Sequence, residues 1–128
     1  MKVLLDTHTF LWWIMDNPRL SAKASDIISA PETIVYVSAA TAWEIAVKSQ
    51  IGKLSLTQPV KHYIPAQMTT NGFLDLPITV DHALHIHSLP LHHRDPFDRM
   101  LVAQSQLEEM PILSLDPLLA SYNVVVIW

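Results

Sequence analysis

At 128 residues, half of them hydrophobic, 16% charged and none cysteine, the chain can bury a core without disulfides. This composition excludes a disordered segment, a disulfide framework and a thiolate zinc site. A formal charge of −4 argues against a broad electropositive surface of the kind that binds nucleic acid non-specifically. Only two glycines leave no glycine-rich phosphate cradle of the Walker or Rossmann kind.

Residues 2–5, Lys2-Val3-Leu4-Leu5, are continuously apolar after the lysine and predict a strand buried on both faces. Thr7 is placed to cap a helix that runs to about Met15, before Asn17-Pro18 stops it. A second helix is expected from Ser21 to Ser29, and residues 34–37, Ile-Val-Tyr-Val, predict a second strand. Ser38 caps a third helix ending near Ile51-Gly52. A further helix is expected over 58–71, opened by Pro59, then a short strand over 73–76. Thr79-Val80-Asp81 starts a brief helix to about Ser88, and Asp95-Pro96 opens one reaching Glu109. Residues 112–115 and 124–127 are the last two strands.

This alternation predicts a single α/β domain over residues 1–128, a three-layer sandwich with a mainly parallel central sheet of four or five strands. Asp6 and His8 interrupt the apolar N-terminus too early for a secretory signal, and no run is long enough to span a bilayer. A cytoplasmic protein is expected, and the lack of cysteine fits a reducing compartment.

Four carboxylates stand where apolar runs meet the next element. Asp6 closes the first strand, Glu44 lies in the helix after the second, Asp98 is at the start of the Asp95-Pro96 helix, and Asp116 follows the strand near 112–115. Strands of a parallel sheet share one carboxyl edge, so these acids can converge. Two carboxylates about 4 Å apart repel by roughly 4 kcal/mol at an effective dielectric near 20. Such a cluster must take up protons or bind a cation, and magnesium or manganese prefers oxygen ligands. Metal-assisted attack of water on a phosphate follows as the expected chemistry.

Each acid alone also has a structural reading: Asp6, Asp95 and Asp98 at helix starts, Glu44 on an exposed helix face, and Asp116-Pro117 as a turn pair. For Asp95 the cap is preferred. The histidines around His85, His87, His92 and His93 predict a polar helix face and loop, not a zinc site. Trp12, Trp13 and Trp43 are expected in core or interface packing, not as base-stacking platforms. Lys48, Lys53, Arg94 and Arg99 are the candidates for touching a substrate.

Four blocks carry a family resemblance: Leu4-Leu5-Asp6-Thr7-His8, Ser38 through Ile45, His93 through Gln104, and Leu113-Ser114-Leu115-Asp116. In this order they resemble the motifs of PIN-domain proteins, and most of all the VapC-type toxins of bacterial toxin–antitoxin pairs. The resemblance implies an endoribonuclease dependent on Mg2+ or Mn2+, usually a homodimer, held inactive by a cognate antitoxin protein and acting on RNA. It puts Asp6, Glu44 and Asp98 as the principal acids, catalytic and metal-binding, and Asp116 as the more variable fourth. Thr7 and Ser114 are then expected to orient carboxylates. An antitoxin segment is expected over the apolar surface near Trp12-Trp13-Ile14 and residues 21–29 and 42–51, reaching towards the acids. The alternative is a catalytically inactive module of the same fold that acts by binding protein or RNA. A receiver or phosphatase reading fits poorly, since Asp6 stands alone, the last lysine is Lys61, and position 8 is His8.

Overall fold

A computed structural model describes residues 1–128. Its sheet is built from β1 (Lys2–Leu5), β2 (Ile34–Ser38), β3 (Leu74–Leu76), β4 (Ile112–Leu113) and β5 (Val126–Ile127). The strand order is β3-β2-β1-β4-β5, and every neighbouring pair is parallel. The sheet is therefore wholly parallel, one step beyond the expected mainly parallel one. Around it lie α1 (Thr7–Ile14), α2 (Ala22–Ser29), α3 (Ala39–Gln50), α4 (Val60–Asn71), α5 (Val80–His85) and α6 (Pro96–Glu108).

Alternation along the central strands makes the three layers. Val3, Leu5, Val35, Val37 and Leu113 face Phe10, Ile28, Ile45 and Ile64 from α1 to α4. Leu4 and Ile112 face the other way, against Leu101, Val102 and Leu119. Side chains two apart share a face, so continuous apolar runs are what a doubly covered sheet requires. No buried side-chain nitrogen or oxygen lacks a hydrogen-bond partner. No helix is long and apolar enough to cross a membrane.

Helix ends follow local chemistry. Ser21 Oγ accepts from Ala24 N–H at 3.0 Å and Ser38 Oγ from Ala40 N–H at 2.9 Å. Gly72 closes α4 at φ +68°, a left-handed conformation that favours glycine. One expected cap is corrected: α1 is capped by Asp6, whose Oδ1 accepts from Thr9 N–H at 2.8 Å, and Thr7 lies inside the helix. The last three strands are each shorter than expected. β4 ends at Leu113: Ser114 N–H still reaches Ile127 O at 3.1 Å, but its Oγ accepts from Asp116 N–H at 3.0 Å, and a 3₁₀ turn over Pro117–Ser121 follows.

The order of strands positions the site. From β1 the chain moves outward through β2 and β3, then returns to place β4 on the other side of β1. Between β1 and β4 the sheet reverses its direction of growth, and a crevice opens beyond their carboxyl ends.

Candidate active site

Each acid is delivered to that crevice by an adjoining element. Asp6 follows β1 and, besides capping α1, accepts through Oδ2 from Ser114 Oγ. Glu44 lies on the second turn of α3, only 4% exposed. Its Oε1 accepts from Thr7 Oγ1 at 2.6 Å, and its Oε2 is ion-paired with the Lys48 ammonium one turn on. Asp98 is the third residue of α6, and Asp95 caps that helix by accepting from Phe97 N–H at 2.8 Å and Asp98 N–H at 3.3 Å. Asp116 caps the 3₁₀ turn after β4 through Leu118 N–H at 2.9 Å. Asp6, Glu44, Asp95, Asp98 and Asp116 all line one cleft of about 320 Å³, with Lys48 at its side. All four acids singled out from the sequence thus line the same cleft, and Asp95 both caps α6 and lines it with them.

Crowding shows in the proton affinities. Burial raises the pKa of Asp98 to about 7, helped by the negative charge of Asp95 and opposed by His93. Burial also pushes Asp6 upward, although Ser114 and Thr9 donate to its charged form. The hydrogen bond to Glu44 raises Lys48, keeping it cationic beside the acids.

His93 departs from the surface role expected for the histidines. Its Nε2 lies 2.9 Å from Asp116 Oδ2 and 3.2 Å from Asp98 Oδ2. Asp95 N–H donates to its Nδ1 at 3.1 Å, which places the ring proton on Nε2, pointing at the two carboxylates. One ligand atom each from His93, Asp98 and Asp116 lies within 4.8 Å of the others. The sequence held a local signal for this: an imidazole two residues before a cap aspartate can accept that residue's N–H. Its neighbour His92 instead packs edge-on to Tyr122, ring centroids 5.1 Å apart, and His85 meets Gln106 at 2.7 Å.

Of the four basic candidates, Lys48 alone lines the acidic cleft. Arg99 is corrected outright: it is buried, donating to Pro90 O at 2.9 Å, Tyr122 Oη at 3.2 Å and Ile86 O at 3.3 Å. Arg94 is exposed outside the cleft. Among the tryptophans, Trp13 packs as expected, against Phe73 and with its Nε1–H on Asn71 Oδ1 at 2.9 Å. Trp43 is 54% exposed, edge-on to Phe97, and half-buried Trp12 lines the cleft.

The donor set suits a hard divalent cation. It is made of carboxylate oxygens, it contains no sulfur, and the burial that raises Asp98 is joined by the negative charges of Asp95, Glu44 and Asp6.

The chain matches the family model of the PIN domain over residues 3–124. It is 37% identical over 75 residues to Ribonuclease VapC16 of Mycobacterium tuberculosis (strain ATCC 25618 / H37Rv), a stretch covering 56% of this chain and 52% of that protein. The match thus spans about half the length of that relative. Its fold is similar to the crystal structure of VapBC2 from Rickettsia felis bound to a DNA fragment from their promoter. There the TM-score is 0.75 at 9% identity, over 99% of this chain and 98% of that one.

Proposed function

The chain belongs to the PIN-domain family, and from that premise we propose that it is a metal-dependent endoribonuclease, the toxin of a toxin–antitoxin pair. The observation that carries this reading is the convergence of Asp6, Glu44, Asp98 and Asp116 beyond the carboxyl ends of β1 and β4. The ribonuclease named as a relative supports RNA as the substrate class. Residues 1–128 act as one nuclease domain, with a cognate antitoxin and a second copy of the chain as protein partners.

Asp6, Glu44 and Asp98 would hold Mg2+ or Mn2+, with Asp116 contributing directly or through water. The cation would polarise the phosphoryl group and make a water more acidic. The protein's own contribution is positional. Thr7 fixes one oxygen of Glu44 and Ser114 one oxygen of Asp6, leaving each carboxylate little freedom to turn away. His93 holds Asp116 through its Nε2–H, with Asp98 Oδ2 3.2 Å from the same nitrogen. Lys48 neutralises part of the Glu44 charge at the edge where a phosphate must approach.

The test is cleavage of unpaired and structured RNA by the full chain freed of partner, in magnesium, beside Asp6→Asn and Asp98→Asn. Loss of cleavage in both variants is expected, and equal cleavage by all three proteins would end the reading.

A further inference from the structure

We propose that a second groove, leading from the acidic cleft past His8 and Trp12 to Arg19 and Lys53, binds the unpaired RNA strand that feeds the acids. The proposal rests on the ribonuclease reading above. The groove, of about 450 Å³, shares Thr7, His8, Trp12, Glu44 and Lys48 with the acidic cleft, so the two form one continuous track.

Its electrostatics reverse those of its neighbour. Of the eight lysines and arginines in a chain of charge −4, Arg19, Lys48 and Lys53 line this groove. Its one acid, Glu44, is ion-paired with Lys48. Arg19 and Lys53 are exposed, and neither head group has a carboxylate partner. A polyphosphate strand passing through the acidic cleft needs positive charge at the adjoining phosphates, and this groove places it there.

The aromatic part selects the form of the nucleic acid. His8 and Trp12 lie one turn apart on α1, their rings stacked with centroids 5.6 Å apart and planes 12° from parallel. Trp128 braces the indole edge-on at 5.8 Å. His8 is exposed at the junction of cleft and groove. A stacked aromatic pair beside cationic side chains takes bases by their faces, and a base exposes its faces only when unpaired.

Binding is measured on the full chain carrying Asp98→Asn, to prevent hydrolysis, with a labelled unpaired RNA of about ten nucleotides. The double substitution Arg19→Glu/Lys53→Glu is expected to weaken binding about tenfold at low salt and to flatten the salt dependence by about 1.4 in log–log slope. His8→Ala, at an exposed position, is expected to weaken it about fivefold, and a duplex of the same length should bind less tightly than the single strand. Wild-type affinity and slope in the charge-swapped protein would overturn the proposal, as would equal binding of duplex. So would a charge swap that spares RNA binding and releases a co-purified protein partner, which assigns the groove to that partner. Cleavage by the wild-type chain with groove variants that bind normally sinks the groove alone; no cleavage and no binding by any form sinks the ribonuclease reading with it.

Discussion

His93 Nε2–H donates to Asp116 Oδ2 across 2.9 Å, bridging residues 23 apart in the chain. The same nitrogen lies 3.2 Å from Asp98 Oδ2, so one ring nitrogen stands between two carboxyl groups. Tyr122 fixes the backbone behind it, its hydroxyl accepting from His93 N–H at 2.9 Å. Removing the donor leaves the acids facing each other. His93→Ala is expected to cost the cation-free protein about 1–3 kcal/mol, and His93→Gln, which keeps an N–H at similar reach, should recover part of it. Urea unfolding in chelator measures both; an alanine variant as stable as wild type shows that the acids do not need the imidazole.

The principal acids should not weigh equally with the fourth. Asp6→Asn, Glu44→Gln and Asp98→Asn are each expected to lower RNA cleavage by about a hundredfold or more, with manganese affinity falling in calorimetric titration. Asp116 is more open, with a side chain 30% exposed and already engaged by His93. Asp116→Asn should cost about tenfold. A fourth-acid variant as inactive as Asp98→Asn would promote Asp116 to a principal ligand.

Thr7 and Ser114 act on acids they do not replace. Thr7→Val and Ser114→Ala are expected to weaken manganese binding by about 10–100-fold while leaving the folded secondary structure intact. Circular dichroism beside calorimetry separates the two effects. Unchanged affinity in both variants would mean that Glu44 and Asp6 keep their orientation without these hydroxyls.

Asp98 sets a pH dependence. Its pKa is about 7 in the folded protein against the ordinary 3.8, so the folded state holds the extra proton between those values. Stability from this group is fully present below the lower value and is lost as pH rises through the upper one. Asp6, also raised, adds in the same direction. The thermal midpoint of the cation-free protein should therefore fall from about pH 5 to about pH 8, and Asp98→Asn should flatten the fall. Manganese competes with that proton, so its affinity should climb over the same range. A midpoint that rises with pH in chelator contradicts this picture.

Arg99 serves stability and does not line the acidic cleft. Its buried guanidinium ties Pro90 and Ile86 carbonyls and the Tyr122 hydroxyl to α6, and no carboxylate is needed. Arg99→Met should destabilise the chain by about 3 kcal/mol, whereas Arg94→Ala at the exposed neighbouring position should stay within about 0.5 kcal/mol. Thermal unfolding of the two variants decides it, and a reversed order would return Arg99 to the list of substrate contacts.

Much of the fold is legible in short windows of sequence. The apolar run Val3-Leu4-Leu5 demands cover on two faces, and Ser38, Asp95-Pro96 and Gly72 mark helix ends with groups that act within three residues. Acids at strand ends and helix starts could be picked out for the same reason, since a parallel sheet gives every strand end a common edge. The shift of capping from Thr7 to Asp6 shows the limit: both side chains fit the local pattern, and Thr7 is drawn off by Glu44, 37 residues away.

Where the elements lie, and that four carboxylates stand at their junctions, can be read along the chain, because periodicity and capping are properties of neighbouring residues. Which polar groups serve those carboxylates depends on packing: Ser114 reaches Asp6 across 108 residues, His93 turns to Asp116 and Asp98, and Arg99 turns to Pro90, Ile86 and Tyr122. A hydrogen bond acts only within about 3 Å. Its partners are therefore set by how helices and strands pack, which no local pattern of residues records.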